Sequence, residues 1–143
     1  AEIIQSFVHY CSRIKDDFLV SNCFCSVIDN TEIEDINRIK VVLGANNRII
    51  YTSRNVVPGN LGMLALEYKK FCGLAAFSRT ALSFYQKTPA STLENAEKCD
   101  LLRFIEHGMA VYGMEIPDKS YSIDTIYDLE NMKIKVEREK KWE

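Results

Sequence analysis

Three short stretches carry side chains able to do chemistry. In Ser122-Ile123-Asp124-Thr125 an acid sits between a turn and the start of a helical pattern. A carboxylate there can cap the helix by accepting backbone N–H bonds, or it can hold a divalent cation beside a phosphate. Most acids at helix starts only cap, and the residues alone leave both uses open. Tyr51-Thr52-Ser53-Arg54 ends a strand pattern and enters a loop. An arginine so placed can grip a carboxylate or phosphate with two parallel N–H bonds, although a plain surface arginine is the default reading. Glu94, Glu97, Asp100 and Arg103 stand at three-residue steps, so neighbours share a helix face. The simplest expectation for them is a surface charge network.

Other features point away from chemistry. The two histidines, His9 and His107, fall in no recognisable catalytic frame. His107, just before Gly108, suits the negative end of a helix. There is no G-x-G-x-x-G, no Walker loop and no G-x-S-x-G. Five cysteines at irregular spacing do not make a disulfide framework. Cys23 and Cys25 would point to one face of a strand as small buried groups, and no second Cys/His pair stands at zinc-ligand spacing.

The 143 residues suffice for one domain, and 47% apolar with 27% charged residues is ordinary for a globular protein. A net charge of −2 gives no basic footprint for nucleic acid. No apolar run is long enough to span a bilayer, and no signal peptide is evident, so a cytoplasmic location without membrane contact is expected. Ala1 rather than Met fits a chain that starts within a larger fold, as well as processing.

The elements that must position these residues can be read from periodicity. Ile3, Ile4, Phe7, Val8 and Cys11 predict an amphipathic helix over 1–15. The apolar run 18–28 predicts a buried strand. Residues 38–43 and 48–52 flank Gly44-Ala45-Asn46-Asn47 as a β-hairpin. A further strand is expected over 71–77 and a helix from Ser78 or Arg79 to Gln86, broken at Lys87-Thr88-Pro89. Ser91 with Glu94 forms a capping-box pattern for a helix running to about His107 and stopped by Gly108. A strand over 110–116 and a helix over 126–139 complete the order α-β-β-β-β-α-α-β-α. That order predicts a single α/β domain over 1–143, mostly three-layered, with a projecting hairpin.

Five blocks, taken in order along nearly the whole chain, resemble the 3-deoxy-manno-octulosonate cytidylyltransferases. Ile36-Asn37-Arg38-Ile39-Lys40-Val41-Val42 resembles that family's D-P-N-x-V-K-V-V strand. Arg48 to Pro58 resembles x-A-L-Y-F-S-R-x-P-I-P. Lys70 to Phe77 resembles K-H-I-G-L-Y-A-Y. Thr92-Leu93-Glu94 and Glu97, with Leu102-Arg103 and Glu106-x-Gly108, resemble P-L-E-x-x-E…L-R-x-L-E-x-G. Ser122-Ile123-Asp124-Thr125-x-x-Asp128-Leu129 resembles G-V-D-T-P-E-D-L.

The resemblance implies an incomplete nucleotide-diphospho-sugar-transferase-like (Rossmann-like) mixed sheet. It also implies transfer of CMP from CTP to a 2-keto-3-deoxy sugar acid with Mg²⁺, as in lipopolysaccharide biosynthesis. On that likeness Asp124 corresponds to a metal-binding aspartate, Arg54 to an arginine on the sugar acid, and Asp100 to a sugar-contacting glutamate. No catalytic residue is assigned within the chain. Departures fall at the implied sugar site: Phe71 for histidine, Ala75 for an aromatic residue and Leu101 for glutamine. Ile126 replaces the proline of D-T-P-E-D.

The family's glycine- and arginine-rich nucleotide loop has no counterpart here. The chain alone is therefore expected to be inactive without a complementing N-terminal segment. A sheet lacking its first strands would also expose an edge, so a homodimer or a complementary chain is the expected partner. A non-catalytic interaction module and an acylneuraminate-type cytidylyltransferase are the alternatives.

Overall fold

The computed structural model describes residues 2–27, 31–62, 66–117, 123 and 126–140. Its organising strand is β1 (Val20–Ser26), whose first six residues are all buried. A strand buried on both faces needs cover on both, and β1 has it. Val20 and Phe24 face one core, while Cys23 and Cys25 face another. The two thiols thus share a face, as the period-two reading expects.

Helix α1 (Glu2–Ser12) lays Phe7, Ile3, Tyr10 and Cys11 over the thiol side, against Cys72, Leu74 and Ala76 of β4 (Lys69–Phe77). The opposite core is closed by α3 (Arg79–Lys87), α4 (Thr92–Glu97) and α5 (Leu101–Glu106). From them Ala81, Leu101, Leu102 and Phe104 meet Val20 and Phe24. A short α2 (Thr31–Glu34) and a longer α6 (Ile126–Lys140) complete the described helices.

β1 pairs antiparallel with β4 and parallel with β5 (Val111–Glu115), so the sheet is mixed. The hairpin is present: β2 (Lys40–Leu43) runs antiparallel to β3 (Arg48–Ser53) around a turn in which Asn46 and Asn47 take left-handed conformations. Asparagine tolerates that region better than most residues.

The hairpin does not project, which corrects the expectation. β2 also bonds β4, through Lys40–Lys70 and Val41–Lys69. β3 bonds β5, through Arg48–Tyr112 and Ile49–Val111. The five described strands close as β1-β4-β2-β3-β5. Closure satisfies N–H and C=O groups that a free hairpin or an open edge would leave unpaired. The expected open edge is therefore not formed among the described strands. Gly113 permits the approach on the β5 side: a Cβ there would lie 2.6 Å from the Asn47 carbonyl and 2.8 Å from the Phe24 ring.

A second correction concerns the expected helix over 91–107. Ser91 caps it through a complete capping box with Glu94, as predicted, and Gly108 ends it at φ 77°. Between them the helix breaks, because Lys98 adopts a left-handed conformation, φ 53° and ψ 47°. The break turns α5 back across α4 and buries Cys99, Leu101 and Leu102.

Candidate functional site

The end of β3 is where the chemistry gathers. Period-two alternation and the β2–β3 register place Lys40 opposite Ser53, and β3 runs straight on into Arg54. Glu97, the last residue of α4, meets this strand end with its whole length. Its carboxylate accepts hydrogen bonds from the Ser53 hydroxyl (2.9 Å), the Arg54 backbone N–H (2.8 Å) and the Tyr51 hydroxyl (3.2 Å). Its own carbonyl accepts from Arg54 Nε at 2.8 Å. Burial alone would raise this carboxyl. The bonds from Arg54, Ser53 and Tyr51 outweigh it and hold Glu97 below the usual carboxylate range. Burial first, and the Glu97 charge second, push the Tyr51 phenol up.

The Arg54 side chain is held by backbone carbonyls. Nε donates to Glu97, and Nη1 donates to the Ile36 carbonyl at 2.9 Å. Among the described residues no carboxylate pairs with this guanidinium. Two of its five N–H donors are spent, on Nε and Nη1, and of the three that remain two are on Nη2. Those donors can still reach a carboxylate or phosphate, since only backbone carbonyls hydrogen-bond the guanidinium among the described residues.

One residue earlier in the same loop, the Asp35 carbonyl accepts from Lys40 Nζ at 2.8 Å. Lys40 is fully buried, and burial lowers its pKa against the opposing pull of Asp35 and Glu97. Two cations thus pin consecutive carbonyls, Asp35 and Ile36.

Asp100 stands beside this group, exposed, with no side-chain hydrogen bond at the start of α5. Both Asp100 and Arg54 act electrostatically on the buried Cys99 thiol, which burial pushes up. The fold therefore brings Arg54 and Asp100 to one side of the molecule around Cys99. Thr52, fully buried, directs its hydroxyl at the same place and makes no hydrogen bond of ordinary geometry among the described residues. Asp124, the third predicted site residue, lies outside the described residues. Among those that are described, no group of three or more His, Cys, Asp or Glu could hold a metal ion. A single carboxylate can serve Mg²⁺, which keeps several waters and takes one or two carboxylates together with substrate phosphates.

The expected surface network on 94–103 is not formed. Arg103 makes a buried bidentate pair with Glu94, both contacts at 2.6 Å. It also donates to the Tyr85 and Thr88 carbonyls, each at 2.8 Å, and lies 3.9 Å from the Tyr85 ring centre. All of this is structural. It requires the break at Lys98, because on one continuous helix residues nine apart would sit about 13 Å apart along the axis. His107 is likewise structural, with Nδ1 at 2.7 Å from the Arg103 carbonyl.

Sequence reasoning missed Glu97 and Lys40 as members of this group. For Lys40 the available signal was a lysine inside the apolar run Ile39 to Leu43. For Glu97 the signals were its place in the three-residue series and its match to the second glutamate of P-L-E-x-x-E. Among the described residues, a depression of about 300 Å³ is bounded by Met132, Lys133, Val136 and Glu137 of α6. Among the described residues, no helix is long and apolar enough to cross a membrane.

Mixed strands packed against helices, with Arg54 at a strand end, make this an α/β protein. The structure of CMP:2-keto-3-deoxy-manno-octonic acid synthetase complexed with CTP superposes with a TM-score of 0.84 at 22% identity, over 96% of this chain and 56% of that one. No protein-family model matches the sequence.

Curated relatives match it directly. The 3-deoxy-manno-octulosonate cytidylyltransferase of Acidobacterium capsulatum is 34% identical over 99 residues, 68% of this chain and 40% of that protein. The 8-amino-3,8-dideoxy-manno-octulosonate cytidylyltransferase of Shewanella pealeana is 27% identical over 131 residues, 89% of this chain and 52% of that protein. The chain belongs to the 3-deoxy-manno-octulosonate cytidylyltransferase family, and it spans about half the length, or less, of the curated relatives it matches.

Proposed function

We propose that this chain is the C-terminal, sugar-acid-recognising portion of a cytidylyltransferase that forms a CMP-sugar from CTP and 3-deoxy-manno-octulosonate. The observation that carries the reading is kinship with cytidylyltransferases at 34% identity. The uncommitted Nη donors of Arg54 support it chemically. In the reaction, the anomeric hydroxyl of the sugar acid attacks the α-phosphorus of CTP, and pyrophosphate leaves. Arg54 binds and orients the sugar carboxylate through two parallel charge-assisted bonds. Asp100, exposed and making no capping hydrogen bond at the start of α5, accepts a hydrogen bond from a sugar hydroxyl. Asp124 is the residue of this chain that would hold Mg²⁺. When bound, the ion offsets phosphate charge. The phosphate cradle for CTP is assigned to a complementing N-terminal segment, and a homodimer is the assembly proposed for the whole.

The test is pyrophosphate release from CTP, Mg²⁺ and 3-deoxy-manno-octulosonate, with the chain alone and with an N-terminal segment supplied. Release on complementation, abolished by Asp124→Ala, is expected. No release under either condition would refute the assignment. A second reading takes the 8-amino-3,8-dideoxy sugar acid as substrate, because that relative matches over the longer stretch of 131 residues. Running both acids in the same assay separates the two.

A further inference from the structure

We propose that Glu97 is the positioning residue that aims Arg54 at the carboxylate of the sugar acid. The proposal rests on the substrate reading above and adds a residue to it. Arg54 is held at both of its ends by this one residue. The Glu97 carboxylate takes the Arg54 backbone N–H, and the Glu97 carbonyl takes Arg54 Nε. The same carboxylate ties down Ser53 and Tyr51, alternate side chains at the end of β3. A guanidinium on a flexible stem loses rotamer freedom when it binds, and that loss weakens binding. Here most of the loss is taken in folding. Nε and Nη1 are already engaged, and the plane of the guanidinium is set before ligand arrives.

The bonding pattern also keeps the charge available. Had Glu97 paired with the guanidinium in the usual way, its carboxylate would have competed with the substrate's. Instead the carboxylate bonds the backbone and hydroxyls, and only neutral carbonyls bond the guanidinium. Lys40 secures the other wall by holding the Asp35 carbonyl, next to the Ile36 carbonyl that receives Nη1. Glu97 therefore governs recognition of the acid group rather than of the sugar in general.

The experiment compares binding of 3-deoxy-manno-octulosonate and of its carboxamide. The proteins are the full chain, Glu97→Ala, Arg54→Ala and the double variant, with unfolding curves recorded for each. Glu97→Ala is expected to weaken acid binding by about tenfold, the scale of a lost charge-assisted contact. It should leave carboxamide binding nearly unchanged and add nothing on the Arg54→Ala background. Equal loss for both ligands, or the same loss without Arg54, would overturn the proposal. If Glu97→Ala does not fold, Glu97→Gln takes its place with the same expectations at smaller amplitude.

A wild-type chain that binds no sugar acid would sink the substrate reading on its own. Positioning is then decided without ligand, from hydrogen exchange at Arg54 Nε–H followed by NMR. Slow exchange that speeds up in the Glu97 variant supports it, and exchange indifferent to residue 97 overturns it.

Discussion

The pair Glu94–Arg103 shows how much one contact carries at the residue scale. Every face of the Arg103 guanidinium is used, and the Arg103 side chain is nearly buried. Removing one partner of such a pair strands the other charge away from water. Arg103→Ala is expected to lower unfolding free energy by about 3–5 kcal/mol, measurable as a shift of the urea midpoint.

The same pair sets an acid limit. Hydrogen bonding to Arg103 is the largest influence on Glu94 and, against burial, holds its carboxyl below the usual range. A group depressed in the folded state contributes stability that is complete above its unfolded value, about 4.3 for glutamate. That stability is lost as pH falls through the lower folded value. Glu97 adds to the same limb for its own reasons. Urea midpoints measured from about pH 6 to about pH 3 should fall across the acid end, and Glu94→Gln should flatten that fall while lowering stability at neutral pH.

At the scale of elements, two joints decide the architecture. One is the left-handed Lys98 between α4 and α5, which returns Arg103 to Glu94 and places Glu97 at the end of β3. The other is the contact of β5 with the hairpin turn, where Gly113 leaves no room for a side chain. Gly113→Ala would push a methyl into the Asn47 carbonyl and the Phe24 ring, an overpacking penalty of about 1–3 kcal/mol. Because Asn47 adjoins β3, the added strain should appear as faster amide exchange at Arg48 and Ile49 as well as in the global unfolding curve.

For the whole molecule, the fold rests on two cores that share β1. The larger is centred on Phe104, whose ring meets Phe18, Phe77, Phe84 and Tyr85 within 6.1 Å. Phe104→Ala is expected to destabilise by about 3–5 kcal/mol, the loss of a fully buried aromatic. A chemical-denaturation curve would show whether the strand ring and the helical layer still unfold together. The smaller core, with Cys23, Cys25 and Cys72, should be almost unaffected by that change, since α1 rather than α5 covers it.

Much of this was legible beforehand. The strands and the boundaries of α3, the Ser91 capping box and the stop at Gly108 follow from rules acting over a few residues, and the structure contains them. The likeness to the cytidylyltransferases was also legible, because motif residues keep their order whatever the packing. The break at Lys98 was not. A lysine carries no local signal for a left-handed turn, and the conformation is held by burial of Cys99, Leu101 and Leu102 beyond it. Nor was the closure of the hairpin onto β4 and β5, because local turn chemistry specifies which strands face each other and not what lies on their outer edges. The amino-acid sequence by itself thus determined the elements and the kinship, through short-range propensity and preserved motifs. Only the tertiary structure decided that Glu94 and Arg103 form a buried bolt, and that Glu97 holds Arg54, since both depend on contacts between residues remote along the chain.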